Sequence, residues 1–204
     1  MYRTVEGSAE ATYEIKKSVF LAKVKGVGGI DEGVAYVKEI KKAYPDARHN
    51  CYAVLCHDGQ KFSDDGEPSG TAGQPILQAI KNKGLCDVAV VVTRYFGGIK
   101  LGANGLVTSY TKAASDACDK AKTALVKESR TGTVGCDYAD YRKIGELIEK
   151  YGRVLSTEYG DGATIRFAVP TENETTLSAA VLEATAGRTQ ATYGPVENVK
   201  YNEE

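Results

Sequence analysis

Residues 131–204 alternate between strand-like and helix-like patterns, and this alternation restricts the possible folds more than any other feature of the chain. Two segments carry apolar residues at i, i+3, i+4 and i+7, the spacing of one helical face. They lie among four strand-like segments in the order βαββαβ. Two helices can cover only one face of the resulting sheet, which predicts a ferredoxin-like arrangement. The helical positions are Ile144, Leu147, Ile148 and Tyr151, then Leu177, Ala180, Val181 and Ala184; the strand segments are TGTVGCDYA, RVLSTEY, ATIRFAV and RTQATYG.

The N-terminal part mixes the same patterns in a less regular order. CDVAVVV is a continuous apolar run, which predicts a strand buried on both faces. TYEIKKSVFLAKVKG and RHNCYAVLCHDG are predicted strands, whereas KFSDDGEPSGTAGQP is a predicted polar loop. Helices are predicted within residues 28–47, from about residue 75, and over about residues 104–122. We interpret residues 124–131 as a linker, so the sequence predicts an α+β protein with domains at 1–127 and 132–204.

Charge and cysteine content narrow the class of protein. Residues 1–130 hold 19 Lys and Arg against 15 Asp and Glu, whereas residues 131–204 hold 7 against 12, so an anionic partner suits the N-terminal part. No apolar run reaches the roughly 20 residues that cross a bilayer, and the N-terminus lacks the apolar centre of a signal peptide. Five scattered cysteines favour reduced thiols. We therefore predict a cytoplasmic protein without a membrane partner.

The glycine-rich stretch TRYFGGIKLGANG, residues 93–105, is the first candidate site. It has neither the Lys-Ser/Thr pair of a P-loop nor a complete dinucleotide fingerprint. It does predict a strand, a turn and a helix N-terminus, where free N–H groups flanked by basic residues suit a phosphate or carboxylate. Pattern alone favours the alternative that the glycines serve tight packing of the helix on the sheet. The anion-site candidates are Arg94, Tyr95, Gly97, Gly98, Lys100, Gly102, Asn104 and Gly105.

A second polar motif includes the loop SDDGEPSGTAGQP. Its three carboxylates could hold Mg²⁺ or Ca²⁺, but the calcium-loop pattern is absent and adjacent side chains diverge. The loop is therefore predicted to be a solvated turn, and we predict neither a metal nor a cofactor. The candidate residues of this second motif are His49, Asp64, Asp65, Glu67 and Thr71.

The segment RHNCYAVLCH places two histidines near two cysteines, which raises the question of zinc. On a strand Cys56 points away from His49, Cys51 and His57. His49 and His57 would lie about 26 Å apart at ~3.3 Å per residue, too far for one tetrahedral site. A Cys–His nucleophilic pair stays open, although no third orienting group is recognisable.

Four motifs in the same order resemble the IMPACT family, in its bacterial YigZ-like branch. They are EIKKSVFLA, YPDARHNCYAV, FSDDGEPSGTAGQPIL and VAVVVTRYFGGIKLGANGLV. The resemblance implies an N-terminal fold like domain 2 of a small-subunit ribosomal protein and a C-terminal domain similar to domain V of elongation factor G. Eukaryotic members regulate translation by interfering with a starvation-sensing kinase, but they bind partners through an additional N-terminal domain, so that role is not carried over.

These observations leave three hypotheses for function. The first is a non-catalytic, RNA- or ribosome-associated protein of translation or stress regulation, which binds an anionic partner through its N-terminal domain. The second is an enzyme acting on a small phosphorylated or nucleotide substrate, and the third is a module that regulates a protein partner. The oligomeric state is left open. A functional site requires that His49, Arg94, the acidic loop and the glycine-rich turn converge on one concave surface.

Overall fold

The computed structural model describes residues 1–202, so the last two residues of the predicted C-terminal domain, 203 and 204, lie outside the described residues. The described chain divides into two compact units, mainly Tyr2–Leu125 and Val126–Tyr201. Both contain helices and strands, which confirms the predicted α+β class with two domains. None of the helices within residues 1–202 is long and apolar enough to cross a membrane.

The N-terminal unit is built on an antiparallel sheet in the order β2-β3-β6-β4-β5. Helix α1 packs on one face, and α2 and α3 pack on the other. The strands are β1 (Tyr2–Val5), β2 (Ser8–Ile15), β3 (Ser18–Gly26), β4 (His49–Cys56), β5 (Gly59–Ser63) and β6 (Val88–Tyr95), and the helices are α1 (Ile30–Ala43), α2 (Gly73–Asn82) and α3 (Gly102–Lys120).

Strand β6 is the centre of this unit, as its apolar run predicts. Val90 and Val92 join the core under α2 and α3, whereas Ala89 and Val91 join the core under α1. All four are fully buried because successive side chains of a strand face opposite sides. Cys51 and Cys56 of β4 also belong to opposite cores, as expected from the strand period.

The C-terminal unit has the predicted βαββαβ order. The strands of this unit pair in the order β10-β7-β9-β8, with the first and last strands of the unit as neighbours, which is the ferredoxin-like order. Both helices share one apolar core with the sheet, where Ile144 and Ile148 of α4 and Leu177 and Val181 of α5 are buried. The elements are β7 (Thr123–Cys136), α4 (Tyr138–Tyr151), β8 (Arg153–Tyr159), β9 (Ala163–Pro170), α5 (Glu174–Ala184) and β10 (Thr192–Asn202), with a 3₁₀ turn at Thr171–Asn173.

Three features of the N-terminal unit differ from the sequence-based prediction. The segment interpreted as one strand over residues 12–26 is the β2–β3 hairpin, because Lys16 and Lys17 both adopt positive φ, 47° and 63°, in a two-residue turn. Such turns usually carry Asn-Gly, so Lys-Lys gave no turn signal. The sequence also missed β1 and placed β5 in the polar loop.

The predicted linker and the predicted last strand also differ from the structure. Residues 124–131 belong to β7, where Ala124 and Val126 are buried in alternation with less buried neighbours. The charged residues that follow obscured this period of two. The last strand begins at Thr192 rather than at Arg188, and it continues to Asn202.

Candidate functional site

The two polar motifs meet at one cavity of about 400 Å³ in the N-terminal unit. Strands β4 and β6 place His49 directly opposite Arg94 at one end of the sheet. The acidic loop and the start of α3 complete the walls. The lining residues are Arg48, His49, Glu67, Pro68, Arg94, Phe96, Lys100, Leu101, Gly102, Ala103 and Leu106. Of the predicted candidates, His49, Glu67, Arg94, Lys100 and Gly102 therefore converge.

A buried ion pair forms the inner part of the cavity. The side chains of Arg94 and Glu67 are 7% and 4% exposed, and Arg94 Nη1 donates to Glu67 Oε1 at 2.5 Å. Tyr110 of α3 donates to the same oxygen at 2.8 Å. The guanidinium also lies over the rings of Phe20 and Phe96, at 5.5 and 5.6 Å from the ring centroids. The arginine is thus fixed by one charge partner and two aromatic faces.

One buried donor of Arg94 has no hydrogen-bond partner among the described residues. Its Nε is buried, and no acceptor among residues 1–202 lies within hydrogen-bonding distance. A buried donor that is left unpaired costs free energy, about 1–3 kcal/mol and more when the group is charged. Arg94 lines the cavity, so its guanidinium is the candidate donor to an anion bound there.

The N-terminus of α3 adds a second anion-attracting feature. Gly102, Ala103 and the N-cap residue Leu101 line the cavity, and no described side chain caps this end of the helix. The first turn contains no acidic residue. Free N–H groups and the helix dipole therefore give this end a partial positive charge. Gly102 begins the helix with φ +73°, a left-handed conformation that glycine adopts without strain.

The rim combines positive charge with an apolar surface. Arg48 and Lys100 are exposed at the cavity. Phe96 is 52% exposed, although it is a large hydrophobic side chain, and Ile99 nearby in the sequence is 46% exposed. An anion with a flat apolar body fits this surface better than a free inorganic ion, because a ring can stack on Phe96.

The acidic loop is a structural element rather than a solvated turn. Asp64 accepts hydrogen bonds from the backbone N–H groups of Gly70, Ala72 and Gly73, each at 2.9 Å. Burial opposes ionisation of Asp64, but these three donors outweigh it and hold the pKa of its carboxyl below the usual value. Asp64 therefore folds the loop onto the start of α2 and is not available to a ligand.

Asp65 and Thr71 also stabilise the conformation of the acidic loop. Asp65 pairs with Lys41 at 2.6 Å and accepts the N–H of Asn50 at 2.7 Å. Thr71 donates its hydroxyl to Pro68 O at 2.6 Å and is buried. The carbonyl of Asp65 lies 2.9 Å from His49 Nδ1, so this nitrogen donates its N–H to the loop and Nε2 is the nitrogen not engaged by Asp65.

Several candidates of the glycine-rich stretch do not line the cavity. Tyr95 donates to Asp46 at 3.1 Å. Gly97 is required for packing, because a Cβ there would lie 2.0 Å from the carbonyl carbon of Lys17. Gly98 has φ +85° in the turn that follows β6, and Asn104 and Gly105 lie in the first turn of α3. Close packing thus explains Gly97, whereas Arg94, Lys100 and Gly102 line the cavity and remain candidates for an anion site.

Sequence reasoning missed several residues that shape this site. Arg48 precedes β4 and Phe96 follows β6, and both lie within motifs that the sequence singled out. No sequence pattern marked Tyr110 as a site residue. It lies in α3, far from Glu67 in the sequence, and only tertiary packing brings its hydroxyl to the Glu67 carboxylate. Cys51 lies 3.3 Å from the Tyr110 hydroxyl, and burial raises the pKa of its thiol to about 12, which makes it an unsuitable nucleophile.

The fold is that of a two-domain α+β protein with a helix-covered antiparallel sheet followed by a ferredoxin-like unit. Residues 16–118 match the Impact N-terminal domain, and residues 134–188 match a domain of unknown function, DUF1949. The chain belongs to the IMPACT family, which confirms the resemblance stated above.

Individual relatives extend over most of the chain. It is 35% identical over 197 residues to the IMPACT family member YvyE of Bacillus subtilis (strain 168), which covers 95% of this chain and 91% of the relative. It is 33% identical over 183 residues to the IMPACT family member YigZ of Escherichia coli (strain K12), covering 87% and 90%. A solved structure described as the crystal structure of an hypothetical protein is 30% identical, with a TM-score of 0.63 and coverage of 95% and 97%.

Proposed function

We propose that the chain is a non-catalytic RNA-binding protein of translation or stress regulation, and that a phosphate of the RNA occupies the cavity at Arg94. The observation that carries the proposal is the guanidinium of Arg94, whose buried Nε has no acceptor among residues 1–202, on the wall of the same cavity as the uncapped N-terminus of α3. Both groups gain from the same ligand, an oxyanion. The ion pair with Glu67 holds the guanidinium in place before the ligand arrives.

The rim supports RNA as the source of that phosphate. Lys100 and Arg48 extend positive charge outward from the cavity, which suits a backbone with several phosphates. Phe96 offers an exposed aromatic face, and stacking on such a face contributes about 1–3 kcal/mol per base in single-stranded complexes. Residues 1–130 also hold more basic than acidic residues, so this part of the chain carries a net positive charge that suits an anionic partner.

The acidic loop argues against catalysis at this cavity. Asp64 is engaged by three backbone N–H groups, and Asp65 is engaged by Lys41 and Asn50. Neither carboxylate is left to bind a metal or to act as a general base. The residues that remain at the cavity can bind and orient an anion, and binding does not require them to move a proton.

RNA affinity across a salt series tests this function. Fluorescence anisotropy with a short single-stranded RNA should show a steep fall in affinity as salt rises, with a slope of about −0.7 per phosphate contacted. Lys100→Ala should weaken binding and reduce that slope by roughly one contact. Lys81→Ala is the matched control, because Lys81 is exposed on α2 and does not line the cavity. Equal effects of both variants, or salt-independent binding, would contradict the proposal.

Ribosome co-sedimentation over the same salt range measures whether the protein also associates with ribosomal RNA in an intact ribosome. Wild-type protein should follow ribosomes at low salt, and the Lys100→Ala variant should do so less. A pull-down with and without nuclease separates this function from regulation of a protein partner. Partners that survive nuclease treatment would favour the protein-interaction hypothesis instead.

The cavity volume supports a second candidate, an enzyme acting on a small phosphorylated or nucleotide substrate. About 400 Å³ lies within the range of small-molecule sites, roughly 300–1,000 Å³. His49 Nε2 would be the group to exchange a proton, since Nδ1 is held by Asp65 O. A thermal-shift screen of nucleotides and phosphometabolites with Mg²⁺ tests it, because a ligand specific to the native state raises the unfolding midpoint. Turnover of a stabilising compound, abolished in His49→Ala, would replace the RNA-binding proposal.

A further inference from the structure

A second cluster of polar side chains lies at the opposite end of strands β4 and β6 from Arg94. His57 occupies the turn between β4 and β5, and Cys86 and Asp87 come directly before β6. His49 and Arg94 pair at one end of these strands, whereas Leu55 and Val88 pair at the other. The cluster is therefore about seven residues, or roughly 20 Å, from the anion cavity.

Three potential ligand atoms of this cluster form a small triangle. His57 Nδ1 lies 3.2 Å from Cys86 Sγ and 3.5 Å from Asp87 Oδ1, and the thiol sulfur lies 3.8 Å from the same carboxylate oxygen. Around a tetrahedral Zn²⁺ with the usual bond lengths to S, N and O, ligand atoms lie about 3.4–3.6 Å apart. The His57–Asp87 separation lies within that range, and the other two lie just below and just above it, so an ion could enter after shifts of a few tenths of an ångström.

The backbone brings neighbouring residues to the same point. In an extended chain, consecutive side chains point to opposite sides. Asp87, however, adopts a left-handed φ of +55°, and both Cys86 and Asp87 reach His57. The peptide N–H of Cys86 donates to Arg3 O at 2.9 Å, and the carbonyl of Asp87 accepts the N–H of Val27 at 2.9 Å. These contacts fix the position of the two ligands against β1 and the end of β3.

A supporting shell holds the carboxylate and the imidazole. The hydroxyl of Tyr2 donates to Asp87 Oδ2, and the backbone N–H of His57 donates to Asp87 Oδ1 at 3.1 Å. The ring of Tyr2 lies against the imidazole, with 4.0 Å between the ring centroids. Hydrogen bonds to ligating carboxylates and fixed imidazole orientation are the usual supports of metal centres.

The same geometry does not suit a Cys–His nucleophilic pair, the alternative that the sequence left open. In a catalytic triad the orienting acid binds the imidazole nitrogen that does not face the nucleophile. Here Cys86 and Asp87 both approach Nδ1 of His57. Three ligand atoms that converge on one point suit binding of a shared cation better than proton transfer from the thiol through the imidazole.

We propose that His57, Cys86 and Asp87 bind one Zn²⁺ ion, with water as the fourth ligand. One sulfur, one nitrogen and one oxygen form a mixed set that zinc accepts, whereas Mg²⁺ and Ca²⁺ prefer oxygen alone. The His57 side chain is 56% exposed, so the site is at the surface and water can reach the remaining position. This set differs from the His49, Cys51, Cys56 and His57 set that strand geometry rules out, since only His57 is common to both. Bound zinc would tie the β4–β5 turn to the start of β6 and, through Tyr2, to β1.

Metal titration of the intact chain tests the site. The protein is purified with reductant, treated with chelator, and titrated with Zn²⁺ by calorimetry and with Co²⁺ by absorption spectroscopy. We expect one ion per chain, a rise in the unfolding midpoint with Zn²⁺, and a thiolate-to-cobalt charge-transfer band with the visible absorption of a tetrahedral site. Cys86→Ser should remove the charge-transfer band. His57→Ala should weaken Zn²⁺ binding by more than about 100-fold, above the 10–100-fold typical of a supporting residue.

Two matched variants distinguish this site from other thiols and imidazoles. Cys136→Ser removes the other partly buried cysteine, which lies beside Asp137 and Asp140 in the C-terminal unit. His49→Ala removes the other histidine of the chain. Both should bind Zn²⁺ and Co²⁺ as the wild type does. Absence of one-to-one binding, a charge-transfer band that survives in Cys86→Ser, or equal losses in Cys136→Ser would overturn the proposal. RNA affinity is not expected to change in Cys86→Ser, so failure here is distinguishable from failure of the RNA-binding function.

Discussion

Glu67 Oε1 accepts hydrogen bonds from both Arg94 and Tyr110, so one carboxylate both balances a buried charge and fixes a helix. Arg94→Ala is therefore expected to affect stability as well as anion binding, because the pair is buried. Removing either partner leaves the other charge buried without compensation, which is strongly destabilising. Affinity losses in Arg94 variants must therefore be measured where the variant is still folded.

Glu67→Gln tests this interpretation, because it keeps the shape of the side chain and removes only its charge. We expect the free energy of unfolding in urea to fall by roughly 3–5 kcal/mol, since the guanidinium then lacks its ion-pair partner. Anion affinity should rise at the same time, because the competing negative charge is gone while the amide oxygen of Gln can still accept a hydrogen bond from the guanidinium. Added phosphate should thus stabilise Glu67→Gln more than it stabilises the wild type.

Glu14→Gln is the control for that experiment, since Glu14 is exposed on β2. It should change the free energy of unfolding by no more than about 0.5 kcal/mol. If Glu67→Gln is as stable as Glu14→Gln, the pair is not the anchor of the cavity. If phosphate stabilises the wild type and Glu67→Gln equally, the guanidinium does not bind the anion.

Asp64 gives the chain an acid-dependent contribution to stability. Its carboxyl pKa is held below the usual 3.8 in the native state, because backbone donors outweigh the effect of burial. A depressed native pKa stabilises the fold above the unfolded value, and this contribution is lost as pH falls through the native value. We expect Asp64→Asn to lower the unfolding midpoint at neutral pH and to reduce the fall of that midpoint below about pH 4. Thermal unfolding between pH 2 and 7 measures both effects; a parallel fall in wild type and variant would contradict this role.

At the scale of elements, a charge introduced at the N-terminus of α3 should affect helix stability and anion binding in opposite directions. Ala103 is exposed, lies in the first turn and lines the cavity. Ala103→Asp adds a negative charge where the helix dipole favours one, so stability should rise by about 0.3–1 kcal/mol. The same charge should repel a phosphate and lower RNA affinity. The two measurements are therefore expected to move in opposite directions.

Ala103→Lys reverses both signs and serves as the paired variant. Its side chain should destabilise the helix slightly and preserve or increase RNA affinity. Anisotropy and urea denaturation of the two variants, at one salt concentration, complete the comparison. If both substitutions weaken RNA binding equally, bulk at the cavity mouth rather than charge decides affinity, and the anion-binding proposal loses its electrostatic basis.

At the scale of the whole molecule, the two units have separate cores. The N-terminal cores lie around β6, and the C-terminal core contains Ile148 together with residues of β7, β9 and α5. All residues that line the anion cavity belong to Tyr2–Leu125. Stability of the C-terminal unit and RNA affinity at this cavity should thus be separable.

Ile148→Ala tests that separation, because Ile148 is fully buried in α4. The lost side chain should destabilise the C-terminal unit by about 2–5 kcal/mol. RNA affinity, measured by anisotropy well below the unfolding transition, should match that of the wild type. Calorimetry should show the shift in one transition only. A large loss of RNA affinity in the folded variant would place part of the binding surface in the C-terminal unit.

Much of the fold could be predicted because apolar periodicity is a local property of the chain. The stripes on α4 and α5 and the continuous run of β6 indicate the ferredoxin-like order and a doubly covered strand before any contact is known. The β2–β3 turn at Lys16 and Lys17 was missed because its backbone is left-handed without the usual residues. The start of β7 was missed because charged residues hide the alternation of Ala124 and Val126.

The sequence by itself determined which segments become helices and strands, which faces are buried, and which motifs carry charge, since hydrophobic burial follows from residue period. Only the tertiary structure decided which polar groups meet. Strand register placed His49 opposite Arg94, loop folding brought Glu67 to the guanidinium, and a turn set His57 beside Cys86 and Asp87. Polar partners depend on distances of a few tenths of an ångström and on direction. Those distances are fixed by register and by loop backbone, which no single segment encodes.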